Sequence, residues 1–313
     1  METIGDILDE LAVTTGAETD NHFRARHVGA SEVSALFDAN PWLTEYELYH
    51  QKVGTIAKPD FSGNARIEAG QRLEPGIVDW ARDKWGYDAM VYPAQRLANG
   101  RGLAGHPDAA ACCPERDGIG ILEVKTADWL VAKQWGDEPP LHYLLQLTTY
   151  MGLSGATWGD VIVLVGGNEL KRWRYEFRPK LYAEIEKRVE AFWERVRGDN
   201  APAPDFNKDA GAIGQVYADA TDEVVDLTDN GRAGILAAQF LFAKTDRDKA
   251  EAVMKASKAE LLTLIGDAGR AMLDGFKITA NRTKDTPDRM AEPGEIIKGR
   301  RGYRRFDVKE RND

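Results

Sequence analysis

The chain has 313 residues, 43% of them hydrophobic and 29% charged, which is the range of ordinary globular proteins and suits one large domain with an appendage. Its formal charge of −10 argues against a protein that coats nucleic acid by bulk electrostatics, but not against a locally basic track. No apolar run approaches the ~18 residues of a membrane span, and the acidic first residues do not resemble a signal peptide. The adjacent pair Cys112 and Cys113 suits neither a structural disulfide nor zinc, so a reducing, cytoplasmic setting is expected.

Residues 1–20 read as a loosely ordered lead-in. His27 to Ser31 then forms a loop entering a short helix that carries Val33, Leu36 and Phe37. Thr44-Glu45-Tyr46-Glu47 is a capping box, and Gly54 ends the helix it opens. From Ser62 to Trp85 the apolar spacing is helical, with a break or kink expected at Pro75. The period then changes. Leu97 to Cys113 and Ile119 to Thr126 read as two strands around a turn at Pro114–Gly118.

Helices are expected near Trp129–Trp135 and from Pro140 to about Met151, the second opened by its proline. Val161–Val165 has the continuous apolar character of a buried strand, and Lys171–Phe177 alternates as a half-exposed one does. An amphipathic helix opens after Pro179. Residues 199–210 are the linker candidate. Beyond them lie a long helix or helical hairpin over Arg232–Leu273 and a terminal β-hairpin of Phe276–Thr283 with Gly302–Val308. The expected division is a core over residues 21–200, a linking region over 201–230 and a C-terminal segment over 231–313.

The chemistry-bearing segment is Gly105-His106-Pro107-Asp108 followed by Leu122-Glu123-Val124-Lys125-Thr126. Alternation along a strand projects Glu123 and Lys125 together, and a neighbouring strand ending near Asp108 brings a second carboxylate to the same edge. Two carboxylates and a main-chain carbonyl are the hard oxygen donors that Mg²⁺ prefers. A lysine beside them can position an attacking water and stabilise charge on a phosphate. The motif PD-x14-ExK is loose in isolation, where a solvated hairpin with ordinary charges is the better explanation.

Several further blocks stand in order around it: Val28–Val33, Asn40-Pro41-Trp42, Tyr46-Glu47-Leu48, Gly70–Pro75 and Gln146–Met151. Together they resemble the YqaJ-type viral recombinases and phage lambda exonuclease, within the PD-(D/E)XK nucleases, over roughly residues 24–197. The resemblance implies an α/β, restriction-endonuclease-like core: a small central mixed sheet flanked by helices, with the C-terminal helical and β-hairpin segment as an appendage. It implies Glu74 as a helical acid, Asp108, Glu123 and the Val124 carbonyl as metal ligands, and Lys125 acting on water. Gln146 and Tyr150, four apart and so on one helix face, resemble a QxxxY motif placed near metal and DNA. Arg24, or equally Arg26, resembles the residue that holds a 5′-phosphate, with Ser31 at a helix start offering N–H groups to an anion.

The implied activity is a Mg²⁺-dependent (or Mn²⁺-dependent) 5′-to-3′ exonuclease on double-stranded DNA, acting in phage-type recombination in a bacterial host. Implied partners are a single-strand-annealing recombinase and further copies of the chain in a ring. The residues leave open an endonuclease or Cas4/RecB-like enzyme, and a non-catalytic DNA-binding protein on a nuclease scaffold. An iron–sulfur Cas4-type protein is disfavoured, since two cysteines cannot supply four cluster ligands. Trp129, Trp135 and the basic run Lys298–Arg305 are secondary candidates for DNA contact, and His106 reads as structural or phosphate-adjacent rather than as a base.

Overall fold

Strand β6 (Arg116–Ala127) organises the N-terminal part of the molecule. In the computed structural model it is the centre of a five-stranded sheet ordered β2-β5-β6-β7-β8, where β2 is Asp88–Val91, β5 Ala109–Cys113, β7 Trp158–Val165 and β8 Glu169–Glu176. The structure describes residues 20–61, 63–91, 96–219 and 222–285, with short strands at 289–290, 296–297 and 307–310. Of the segments that the sequence singles out, residues 1–19 and the basic run 298–305 lie outside the described residues. The chain divides into two units, Met1–Ala220 and Thr221–Asp313.

The sheet is mixed. β6 pairs antiparallel with β5 and parallel with β7, and the connection between β6 and β7 carries helices α4 (Trp129–Lys133) and α5 (Leu141–Ser154). A parallel strand covered on both faces should be continuously apolar. All eight residues of β7 are buried, as Val161–Val165 led one to expect. On one face Leu147, Tyr150 and Met151 of α5 pack against Ile121, Val161 and Val163. On the other, Ile77, Val78 and Ala81 of α3 (Ala65–Trp85) pack against Leu122, Val124, Ile162 and Leu164. This is the small mixed sheet with helices on both sides that the resemblance implies.

Three local expectations are corrected. Helix α3 runs through Pro75 without a break; its anchors Ile77, Val78 and Ala81 lie just beyond the proline and hold the next turns on the sheet. The segment 97–113 is three strands rather than one: β3 (Leu97–Ala98), β4 (Leu103–Gly105) and β5. Gly100 and Gly102 adopt left-handed conformations, with φ of 68° and 85°, which fold β3 back on β4 as a hairpin. Pro107 then separates β4 from β5. The turn before β6 is shorter than expected, only Pro114-Glu115, so β6 begins three residues earlier, at Arg116.

β1 (Val28–Gly29) pairs parallel with β4, which draws the segment between α1 (Asp20–Arg26) and a 3-10 turn at Val33–Phe37 alongside the sheet. Helix α2 (Glu45–Val53) begins as its sequence indicates, with the Thr44 hydroxyl accepting from the Glu47 N–H at 3.0 Å and Gly54 closing it in a left-handed conformation. Helix α6 (Pro179–Arg197) buries Ile185, Val189 and Phe192 against β1, α2 and the 3-10 turn. Residues 199–209 are tied to this unit: Tyr49 donates to Asp199 at 3.2 Å, Thr44 to Asp209 at 2.5 Å and Lys208 to Asp38 at 2.6 Å. Helix α7 (Ala210–Val216) packs Ala212 against Tyr46 and Ile56.

In the second unit, α8 (Gly231–Ile265) is one 35-residue helix rather than a hairpin, capped by Asn230. A small antiparallel sheet follows, ordered β13-β10-β9, where β9 is Arg270–Leu273, β10 Phe276–Thr279 and β13 Asp307–Glu310. Of the expected hairpin, Thr279 and Ile278 lie opposite Asp307 and Val308, residues 302–306 lie outside the described residues, and β9 adds a third strand. No helix among the described residues is long and apolar enough to cross a membrane.

Asp160 on β7 is fully enclosed and accepts from Tyr87 and from Arg116 at 2.5 Å, while Arg172 donates to the Tyr87 hydroxyl at 2.9 Å. Replacing one partner of such a set leaves the others unpaired. Asp160→Ala should therefore cost about 3–5 kcal/mol in urea unfolding, well beyond an exposed substitution such as Asp79→Ala.

Candidate functional site

The β5–β6 register pairs Ala109 with Leu122, so Asp108, one residue before β5, comes opposite Glu123. Its carboxylate oxygen Oδ2 accepts the main-chain N–H of Val124 at 2.7 Å. Glu123 is fully buried. One of its oxygens takes the Lys125 ammonium, and the other, Oε2, has no hydrogen-bond partner in the structure. Lys125 also lies 5.6 Å from the centre of the Tyr143 ring on α5. Glu74 reaches in from α3, and a cleft of about 290 Å³ is lined by Arg66, Gly70, Glu74, Asp108, Val124 and Lys125.

The electrostatics follow from crowding acids at one sheet edge. Burial, and after it Asp108, push the Glu123 carboxyl up to about 8 against the opposing pull of Lys125. Burial and Asp108 likewise raise Glu74 to about 7. For Lys125 burial acts downward, but Glu123 and Asp108 outweigh it and hold the ammonium above its ordinary value. The lysine is thus a fixed cation at neutral pH and not a proton acceptor. Three carboxyl groups crowded at one edge, one with an orphaned oxygen, suit a hard divalent cation. Among the described residues no three His, Cys, Asp or Glu side chains are clustered so as to hold a metal by themselves. A cation here would draw on Asp108, Glu123, main-chain oxygen and water, as Mg²⁺ commonly does.

Gln146 and Tyr150 lie on one face of α5, where the Gln146 amide donates to the Tyr150 hydroxyl at 3.0 Å in a buried setting. Burial, with Glu123 next in effect, holds the phenol protonated, well above its ordinary value. A side chain at Gly105 would place its Cβ 2.5 Å from the Tyr150 ring, so the glycine lets β4 close onto α5. Tyr150 also borders a neighbouring hollow of about 210 Å³, whose lining includes Arg24, Ser31, Arg96, Gly105 and His106. Of the two arginines left open by the sequence, Arg24 is in this hollow; Arg26 lines a different one with Arg101 and Arg197.

Some contributors carry no sequence motif. Arg96 stands beside the Phe23 ring, with 5.0 Å between guanidinium and ring centre, and joins Arg24 in the hollow. Lys52 is buried and donates to the main-chain oxygens of Arg24 at 2.9 Å and His27 at 2.6 Å, and to Glu32 at 2.6 Å. Glu32 in turn accepts the Gly29 N–H at 2.9 Å. Burial holds Lys52 down to about 8 even beside Glu32. This ion pair clamps the end of α1 to β1 and so fixes the segment bearing Arg24 and Ser31. Of the tryptophans, Trp135 packs on Tyr143 and Trp173, whereas Trp129 is exposed under Lys133.

Residues 21–157 match the model of the YqaJ-like viral recombinase domain. Every site residue above that the sequence singled out, from Arg24 to Tyr150, falls within this stretch. The uncharacterized protein YqaJ of Bacillus subtilis (strain 168) is 25% identical over 305 residues, 92% of each chain. Among solved structures, an alkaline exonuclease from Laribacter hongkongensis is 21% identical, with a TM-score of 0.47 over 62% of this chain and 99% of its own. A phage related exonuclease from Haemophilus somnus 129PT is 13% identical, with a TM-score of 0.43 over 57% and 98%.

The raised acids of this cleft make the stability of the fold pH-dependent. Glu123 and Glu74 hold protons in the fold at pH values where the unfolded chain, with carboxyls near 4.5, has lost them. Their stabilising share is complete below about pH 4.5 and is lost as pH rises through 7 to 8. In EDTA the melting temperature should fall between pH 5 and 8, and Glu123→Gln should flatten that slope.

Proposed function

We propose that the chain is a metal-dependent deoxyribonuclease, a 5′-to-3′ exonuclease on double-stranded DNA that serves phage-type recombination. The observation that carries this reading is the buried Glu123 carboxylate, with its unpartnered oxygen, set beside Asp108 and the Lys125 cation at an open cleft. Such an arrangement is expensive to fold around unless a cation and a phosphate use it. The match of residues 21–157 to the YqaJ-like viral recombinase model supports the recombination setting.

Asp108, Glu123 and the Val124 carbonyl would hold Mg²⁺ or Mn²⁺. When bound, the cation supplies a more acidic water and Lewis-acid polarisation of a phosphoryl oxygen. Lys125, charged throughout the neutral range, orients the attacking water and offsets charge gathering on the phosphate. Tyr150, protonated and held by Gln146, donates toward the same edge. Glu74 closes the acidic wall from α3. Arg24, with Arg96 and the exposed Ser31 beside it, binds the terminal 5′-phosphate in the adjoining hollow. On the same reading the product strand passes to a single-strand-annealing protein, and a ring of subunits retains the duplex.

Digestion of linear and closed-circular duplex DNA tests this, with Mg²⁺, with EDTA, and with the Lys125→Ala protein. The expected result is metal-dependent loss of the linear form alone, reduced at least about 100-fold by Lys125→Ala, the scale of losing one charge-stabilising donor. Nicking of circles would make the protein an endonuclease. Binding without cleavage of either form would leave a DNA-binding protein on a nuclease scaffold.

A further inference from the structure

On the side of α1 away from the Arg24 hollow lies a second concavity of about 400 Å³, lined by Arg26, Gly100, Arg101, Gly102, Glu190, Trp193 and Arg197. Three guanidiniums and one carboxylate share it, in a chain whose formal charge is −10. Among the described residues, the Arg101 and Arg197 guanidiniums have no hydrogen bond or ion pair, whereas eight other arginines appear in ion pairs.

The floor is rigid. The Trp193 indole N–H donates to the Gly102 carbonyl at 2.9 Å, and a Cβ on Gly102 would stand 2.3 Å from that indole nitrogen. Gly102 also has φ of 85°, so backbone conformation and close approach both require glycine there. Three different elements deliver the arginines: the last turn of α1, the β3–β4 turn and the last turn of α6. Gly102 and Gly105 stand three residues apart, which at about 3.3 Å per residue puts this hollow roughly 10 Å along the chain from the one bordered by Gly105. One nucleic-acid backbone can span that distance.

We propose that this concavity is a second phosphate-binding site, taking an internal backbone phosphate of the DNA whose terminus occupies the Arg24 hollow. The ligand class is a nucleic-acid phosphodiester, held by Arg101 and Arg197 with Arg26, and the role is grip on the duplex rather than chemistry. The inference rests on the nuclease reading. It adds an anchor that neither the metal cleft nor the terminal-phosphate hollow supplies.

The test is binding of the full chain to a short 5′-phosphorylated duplex in EDTA, measured across a range of salt concentrations. For every phosphate the protein ceases to grip, the slope of log affinity against log salt falls by about 0.9. Arg101→Glu with Arg197→Glu should weaken binding at least tenfold at moderate salt and reduce that slope by about 0.9, one phosphate's share. Arg101→Lys with Arg197→Lys should restore most of the loss. Glu190→Gln should tighten binding, a change of sign that a purely structural role would not produce. Both arginines are exposed, and a melting curve matching the wild type will show that the variants fold. If the wild type binds and cleaves DNA while the Glu variants keep its affinity and slope, the second site is wrong and the nuclease reading stands. If the wild type binds no duplex at all, both fall together.

Discussion

The fold is arranged around one costly placement, a carboxylate at the centre of a buried strand. Glu123 sits on β6 between β5 and β7, where continuous pairing of main-chain groups leaves no water to solvate it. Its neighbours do little to relieve it: Lys125 satisfies one oxygen, while Asp108 and Glu74 oppose its charge. The rest of the sheet provides the stability this requires. β7 is buried along its whole length, two apolar layers cover its faces, and the Asp160 set with Tyr87, Arg116 and Arg172 pairs the other enclosed charges.

Register does the positioning. Because β5 and β6 are joined by a two-residue turn, the approach of Asp108 to the Val124 amide follows from local hairpin geometry rather than from distant packing. The second half of the site is assembled differently. Arg24 and Ser31 come from a segment with only a two-residue strand to hold it, and its placement depends on the buried Lys52–Glu32 pair from α2. Tyr150 joins the halves, since it stands behind Gly105 and borders the Arg24 hollow.

What the sequence shows and what it hides divide along the same line. Asp108, Glu123 and Lys125 are legible because alternation along one strand and a short turn are nearest-neighbour effects. The α2 cap and the apolar β7 are legible for the same reason. Lys52 and Arg96 are not: each acts through residues 20 or more positions away, and nothing in their immediate neighbourhood marks them. The breaks inside 97–113 are concealed by apolar periodicity, which does not register the left-handed conformations at Gly100 and Gly102. At Pro75 the missing N–H removes a single helical hydrogen bond, and burial of Ile77, Val78 and Ala81 outweighs that loss. Between Arg24 and Arg26 no sequence argument could choose, because two residues on a helix point to nearly opposite sides; only the fold shows which hollow each faces.

That opposition bears on how so acidic a chain can approach nucleic acid. At physiological ionic strength charges more than about 8 Å apart are largely screened, so the sign felt by a phosphate is set locally. Glu74, Asp108 and Glu123 gather at the edge of β6, while each arginine hollow is lined by a single glutamate, Glu32 or Glu190. Arginines gather instead on the two sides of α1: Arg24 and Arg96 in one hollow, Arg26, Arg101 and Arg197 in the other. On the proposed function, a net charge of −10 would oppose indiscriminate binding along the remaining surface while these hollows attract phosphate. The composition that first argues against a nucleic-acid protein would then, with charge sorted in this way, become a source of selectivity for where a bound strand rests.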